Sequence, residues 1–378
     1  MSSKIGVGNG RRPIAVYGAT GFTGGLIARR LKEAGADFLI AGRSRGKLDR
    51  LSEELGGVPV RAVAADDAAG LRGMLEGCSA VIGCAGPFSL HGEALVAAAA
   101  ETGTHYLDTT GEQPFIRMVF DRYGKRAEET GAALVSGMGF DYLPGDLIAA
   151  LTAEGMGPLE EIVVAYAVHG FAPTQGTSLS ALEMMRADDV VWVDGEWQPG
   201  PRSADGGRWR FPDPIGEQRM LRYPAGEQIT VPRHVETRRV RTLLNGMVVP
   251  PRLMPLAVGA TPLLGATMRT PLRKAAAALI RRLPAAPKEA DRMKSRFTLS
   301  CEARGAAGVR RGVVRGNDVY GLTAASLAHG AMLCADPGYD RRGALAPAQA
   351  FDPALFLAAL GDSGLSIEVE PLPASADR

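Results

Sequence analysis

Residues 14–24 read Ile14-Ala15-Val16-Tyr17-Gly18-Ala19-Thr20-Gly21-Phe22-Thr23-Gly24. A short water-avoiding run leads directly into three glycines spaced three apart, and an amphipathic segment follows. That order predicts a buried strand, a sharp turn and a helix inside one βαβ unit. Gly18 lets the chain turn, Gly21 lets the backbone approach a ligand, and Gly24 lets the new helix lie close to the sheet. With Thr20, Phe22 and Thr23 between them, the loop offers the free N–H groups of a helix start to a pyrophosphate.

Working outward, residues 13–150 alternate short apolar runs with helix-length segments. Strands are expected at 14–17, 38–41, 60–64, 80–84, 105–108 and 132–136. Helices are expected at 22–34, 46–55, 68–76, 92–102 and 114–130. The strands are apolar along nearly their whole length, as when helices cover both faces of a parallel sheet. The fold class is therefore α/β, with a Rossmann-type doubly wound parallel sheet. Ligands of such sheets bind beyond the carboxyl ends of the strands.

The end of the second strand selects the nucleotide. An NAD site usually keeps an acid there for the ribose 2′-hydroxyl. This chain has Gly42-Arg43-Ser44, with Lys47 one turn on. A guanidinium grips phosphate bidentately and a hydroxyl can assist it, so a 2′-phosphate fits and NADPH is the expected cofactor. Beyond the third strand, Asp66 and Asp67 either meet the adenine or cap the next helix. Beyond the fourth, Ala85-Gly86-Pro87 is small enough for the nicotinamide ribose to approach, though a plain turn has the same residues. Phe88 could wall the nicotinamide ring.

Taken together, GATGFTG, AGRS, the stretch at residues 86–112 and GMGFDYLPGDL at 137–147 resemble the saccharopine dehydrogenase-like NADP-binding family. Within it the likeness is greatest to the trans-acting enoyl reductases of actinobacteria. The likeness is dense over residues 13–185, thin over 186–315 and moderate over 316–360. It implies a Rossmann domain at 1–150, a mixed α+β substrate domain at 151–319, and a segment 320–378 that returns to the first domain. It also implies hydride transfer with NADP(H), to an activated C=C as in enoyl thioesters or to a C=N as in saccharopine-type enzymes. No acid or base is carried over from the family. A protein that binds NADP(H) without turnover is a further alternative.

In the middle of the chain, strands are expected at 161–169, 190–193, 219–222 and 228–231, a helix at 178–186, and a strand pair at 297–304 and 309–315. Residues 199–214 are expected to form an exposed loop; Trp197, Trp209 and Phe211 could instead line a substrate or lid surface, and the alternation of Trp209 and Phe211 with arginines in RWRF fits an edge strand as well. The stretch 252–315 carries 14 Lys or Arg against three acids, although the whole chain is only +2. Inside it, residues 271–283 form a helix with a basic end and an apolar stripe. A solvated face, an acidic protein partner such as a carrier of acyl groups, and a peripheral membrane contact all fit that pattern. Nucleic acid does not, because no recognition motif accompanies the charge.

Candidates for proton delivery sit just after the strands: Asp141 and Tyr142 after the sixth, and His91 beside the Gly86 turn. Asp108, Thr109, Glu112 and the more distant His169 are further possibilities, and each can equally be a cap or loop tie. Four scattered cysteines form no ligand spacing, so no metal is expected. The apolar stretch 253–268 is interrupted by prolines and too short to span a bilayer, and the first residues lack a signal-peptide core. A cytoplasmic protein acting on a small or carrier-borne acyl substrate is the resulting expectation.

Overall fold

The computed structural model describes residues 12–201, 203–246, 267 and 270–372. The apolar stretch 253–268 and the first part of the basic stretch 252–315 lie outside the described residues, apart from Thr267. Seven strands form one parallel sheet. They are β1 (Ile14–Tyr17), β2 (Phe38–Gly42), β3 (Val60–Ala62), β4 (Ala80–Gly83), β5 (His105–Asp108), β6 (Ala133–Val135) and the late strand β15 (Gly343–Leu345), in the order β15-β6-β5-β4-β1-β2-β3. The order reverses between β1 and β4, where a crevice opens at the carboxyl ends. Helices α1 (Phe22–Glu33), α2 (Arg45–Glu54), α3 (Ala68–Leu75), α4 (Phe88–His91) and α5 (Glu93–Thr102) lie between these strands. The helix expected at 114–130 is present as α6 (Gln113–Met118) and α7 (Gly124–Thr130), joined through one π turn at Val119–Tyr123.

From β6, helix α8 (Leu143–Ala153) carries the chain into a second sheet. This sheet comprises β7 (Leu159–His169), β10 (Asp205–Arg210), β11 (Glu217–Arg222), β12 (Val240–Leu244), β13 (Arg296–Gly305), β14 (Gly308–Asn317) and β16 (Ser366–Val369). Its order is β10-β11-β12-β7-β13-β14-β16. The β12–β7 pair is parallel and the other pairs are antiparallel, so the sheet is mixed. A separate hairpin joins β8 (Val190–Val193) to β9 (Glu196–Pro199). One face of the second sheet, with Val164, Tyr166, Leu299 and Cys301, shares a continuous core with α8 and the first sheet.

The late helix Val319–Cys334 packs along α1, and β15 extends the first sheet beside β6. The last strand, β16, instead pairs with β14. The chain after residue 319 therefore contributes to both sheets.

Several expectations are corrected. Residues 228–231 are not a strand. They lie in α10 (Glu227–Thr230) and the helical turn after it, because four residues, Gln-Ile-Thr-Val, are too few to distinguish the two periods. Much of 199–214 is the edge strand β10 rather than a loop. Trp209 and Phe211 are buried against Val163, Met220 and Leu243, so neither lines a surface. Trp197 packs on Trp192 and donates its ring N–H to the Gln228 carbonyl. Phe88 is also in the core, tilted against Phe115.

Leu299, fully buried on the central strand β13, tests the shared core. Leu299→Ala should lower the unfolding free energy by about 2–5 kcal/mol in urea titration.

Candidate functional site

The glycine loop is built around contacts that admit no side chain. Gly18 holds a left-handed backbone (φ +85°), donates its N–H to the Ala41 carbonyl at 2.8 Å, and lies against the Cys84–Ala85 backbone. A Cβ on Gly24 would overlap the Gly18 carbonyl oxygen and sit 2.8 Å from Ala19 Cα. Helix α1 starts at Gly21 with no side-chain cap and no acid in its first turn. Its leading N–H groups and positive dipole end are thus left for an anion. Thr20 and Gly21 are exposed, and Phe22 and Thr23 are half-buried. Phe22 meets the ring of Tyr320 edge-on at 5.3 Å, which fixes the loop against the Val319–Cys334 helix.

Arg43 follows β2, exposed, and forms no ion pair with any described residue. Burial raises the Tyr17 phenol, the Arg43 charge opposes that rise and the Asp66 charge adds to it. Ser44 caps α2 without spending its hydroxyl, and Lys47 is exposed in the first turn. Asp67, not Asp66, is the helix cap, accepting from Gly70 N–H at 2.9 Å. An uncapped helix start, a cradle that any Cβ would fill and a guanidinium without a partner suit a dinucleotide that carries an extra phosphate.

Ala85, Gly86 and Pro87 continue from β4 into α4. This short helix is held by Glu112, whose buried carboxylate accepts from Phe88 N–H (2.8 Å) and Ser89 N–H (2.9 Å). Ser180 of α9 (Gln175–Arg186) donates to the same carboxylate at 3.1 Å. Glu112 is thus a tie between loops. Asp108 has the same kind of role: it accepts from Thr110 N–H, Gly137 N–H and the Ser136 hydroxyl. His91 and His169 are exposed and make no side-chain hydrogen bond to a described residue.

The loop after β6 has a different character. The Ser326 hydroxyl donates to the Met138 carbonyl at 2.7 Å, and Phe140 N–H donates to Thr323 Oγ1 at 3.0 Å. These bonds aim Asp141 and Tyr142 toward the second domain. Asp141 accepts from the Tyr223 hydroxyl at 3.2 Å. Tyr142 is buried and donates its own hydroxyl to the Gly111 carbonyl at 2.7 Å, which makes it a strut between loops. Around Gly111 three groups converge: a Cβ there would meet Tyr142 OH at 3.4 Å, Met184 Sδ at 3.7 Å and Asp141 Cβ at 3.9 Å. Burial pushes the Asp141 carboxyl up to about 6, with the Tyr223 donor pulling the other way. Burial likewise holds the phenols of Tyr142, Tyr166 and Tyr223 well above their ordinary value, so all three remain protonated donors.

Behind Tyr223 lies Tyr166, ring to ring at 5.9 Å, donating to the carboxyl of Glu227. Glu227 is fully buried, its second oxygen has no hydrogen-bond partner among the described residues, and the missing side chain of Gly145 makes room for the pair. Burial raises this carboxyl to about 8, so it is neutral at pH 7. Gln113 completes the junction by bonding Ala225 O (2.8 Å), Val190 O (3.2 Å) and Val190 N–H (2.9 Å). Tyr166, Tyr223, Glu227 and Ser180 carry no sequence signal of this role; only the tertiary fold brings them to Asp141.

Two measurements follow. Removing one charge-assisted phosphate contact costs about 1.5–3 kcal/mol, so Arg43→Ala should weaken NADPH binding roughly 10- to 100-fold in calorimetry while NADH affinity changes little. For Glu227 the folded pKa stands above the ordinary 4.5. Stability is then complete below about pH 4.5, drains as pH rises toward about 8, and is level beyond. Glu227→Gln keeps an acceptor for Tyr166, and its melting temperature should fall less than that of the parent between pH 5 and 8. Parallel declines would show that Glu227 does not titrate in this window.

Comparison with known proteins bears on this geometry. Residues 14–135 match the family model of the saccharopine dehydrogenase NADP binding domain. A Mycobacterium tuberculosis protein named among the trans-acting enoyl reductases is 38% identical over 185 residues, covering 46% of this chain and 44% of that protein. A trans-acting enoyl reductase of Mycobacterium ulcerans is 39% identical over 140 residues, covering 35% and 34%. The chain thus matches less than half the length of these curated relatives. Saccharopine dehydrogenase (L-Glu forming) of Saccharomyces cerevisiae superposes with a TM-score of 0.62 over 95% of this chain and 100% of that one, at 14% identity, which shows a shared fold. The glycine cradle, the uncapped helix and the open guanidinium all lie within residues 14–135, the stretch that is similar to the saccharopine dehydrogenase NADP binding domain.

Proposed function

We propose that this chain is an NADPH-dependent reductase acting on the electron-poor C=C of an enoyl thioester, free or carrier-borne. The observation that carries this reading is the Asp141–Tyr223 pair, set beyond the carboxyl ends of β5 and β6 where the two domains meet. The mycobacterial relatives named trans-acting enoyl reductases support the C=C choice.

Bound NADPH would supply the hydride. The glycine loop and Arg43 would hold its phosphates, and the small residues Ala85 and Gly86 would leave room for its nicotinamide ribose. Reduction then needs one proton. Asp141 in its acid form can accept from Tyr223 at one oxygen and donate from the other, which makes it the proton donor and Tyr223 its positioning residue. The neutral tyrosines and neutral Glu227 place no opposing charge beside it at pH 7. Tyr142 acts indirectly, by fixing the Gly111 turn opposite Asp141.

The acid form of Asp141 is lost as pH rises through about 6. The reduction rate should therefore fall across that range in NADPH-oxidation assays with enoyl thioesters. Asp141→Asn retains the Tyr223 contact but not the proton; kcat should drop roughly 100- to 10,000-fold, with a flattened pH profile and unchanged NADPH affinity. Turnover of cyclic imines alone would replace the C=C reading with C=N reduction. NADPH binding without turnover of either would leave a binding protein.

A further inference from the structure

The helix Leu272–Ile280 lies on the surface with no buried residue. An ordinary surface helix turns its apolar stripe inward and its charges outward. Here Leu272 and Leu279, two turns apart and so on one edge, are 60% and 63% exposed, and Leu283 in the turn that follows is 53% exposed. Met185 on neighbouring α9 and Met293 further along are also exposed. Lys274 stands on the far side of the exposed face from this edge, and exposed Arg281, Arg282 and Lys288 follow the helix, none in an ion pair with a described residue. Residues 270–296 hold eight Lys or Arg against Glu289 and Asp291. Exposed leucines clustered among unpaired cations mark a surface that has a partner.

The element is fastened to the rest of the protein at defined points. Arg273 pairs with Glu183 of α9. Gln175 N–H donates to the Ala285 carbonyl at 3.1 Å, and the Gln175 side chain bonds the carbonyls of Arg281 and Leu283. Through α9 the element leads to Ser180 and the Glu112 tie, next to the proposed site.

We propose that the helix Leu272–Ile280 and the turn after it form an interfacial element that seats this protein on an anionic lipid surface. Leucines enter the acyl boundary while the lysine and arginine heads stay among the phosphates. Tyr, Trp and Phe, which anchor protein interfaces, are absent from residues 270–290, and the small Ala275 and Ala278 beside the leucines let the helix lie flat. Among the described residues no helix is long and apolar enough to cross a membrane, so the contact is a seat on one leaflet.

Co-sedimentation of the full chain with vesicles tests this. Binding to equal-part phosphatidylcholine–phosphatidylglycerol vesicles at low salt should exceed binding to phosphatidylcholine alone roughly tenfold. The triple reversal Lys274→Glu, Arg281→Glu, Arg282→Glu should lose that preference. Leu272→Ser with Leu279→Ser should weaken binding that survives high salt. Both variants alter exposed side chains, so NADPH affinity and melting temperature serve as controls for folding. A Leu279→Trp reporter should shift its emission to the blue on the mixed vesicles. No sedimentation, or equal sedimentation of parent and variants, overturns the proposal. So does a parent that ignores vesicles but binds an acidic acyl carrier protein through the same cations.

Discussion

The two loops that define the candidate site hang from one buried carboxylate. Asp108 ends β5 with no solvent around it and takes donors from Thr110, Ser136 and Gly137, which belong to the loops after β5 and β6. Burying a charge without partners is costly, and burial does push this carboxyl up to about 6; the three donors offset part of that cost. The result is that the Gly111–Glu112 turn and the Met138–Tyr142 turn cannot move independently. Glu112 and Asp141, which follow, inherit that rigidity. One sets the Gly86 loop and the other faces the second domain.

From this anchor the rest of the boundary is assembled by shape. Gly226 sits so close to the Tyr142 ring that a Cβ could not be accommodated, and Gly145 makes the corresponding space for Glu227 and Tyr166. Aromatic rings then run from Phe297 through Phe140 and Tyr166 to Tyr223, each within 6 Å of the next. Polar atoms in this layer are few and nearly all paired. Burial in this layer raises the Asp141 carboxyl to about 6, a value that suits the proton transfer proposed for it.

The first domain was legible because its signals are local. Apolar runs such as Ile14–Tyr17 and Ala80–Gly83 end at glycines, and the residues after them fall at strand ends by topology alone. Asp141 was visible for that reason. Its partners were not: Tyr223 lies 82 residues away, in a tract with no periodicity, and reaches Asp141 only through the mixed sheet. Trp209 was hidden because the Gly, Pro and Asp around it read as loop, while its inward orientation is set by the mixed sheet. The bond from the Tyr142 hydroxyl to the Gly111 carbonyl was equally beyond the sequence, since it joins loops 31 residues apart.

The final strand has a mechanical consequence. Because β16 pairs with β14 after β15 has joined the first sheet, the polypeptide passes between the two halves three times: before β7, after β14 and before β16. A molecule stitched so often has no single strap about which to swing. Any displacement of one half against the other would have to bend all three crossings together.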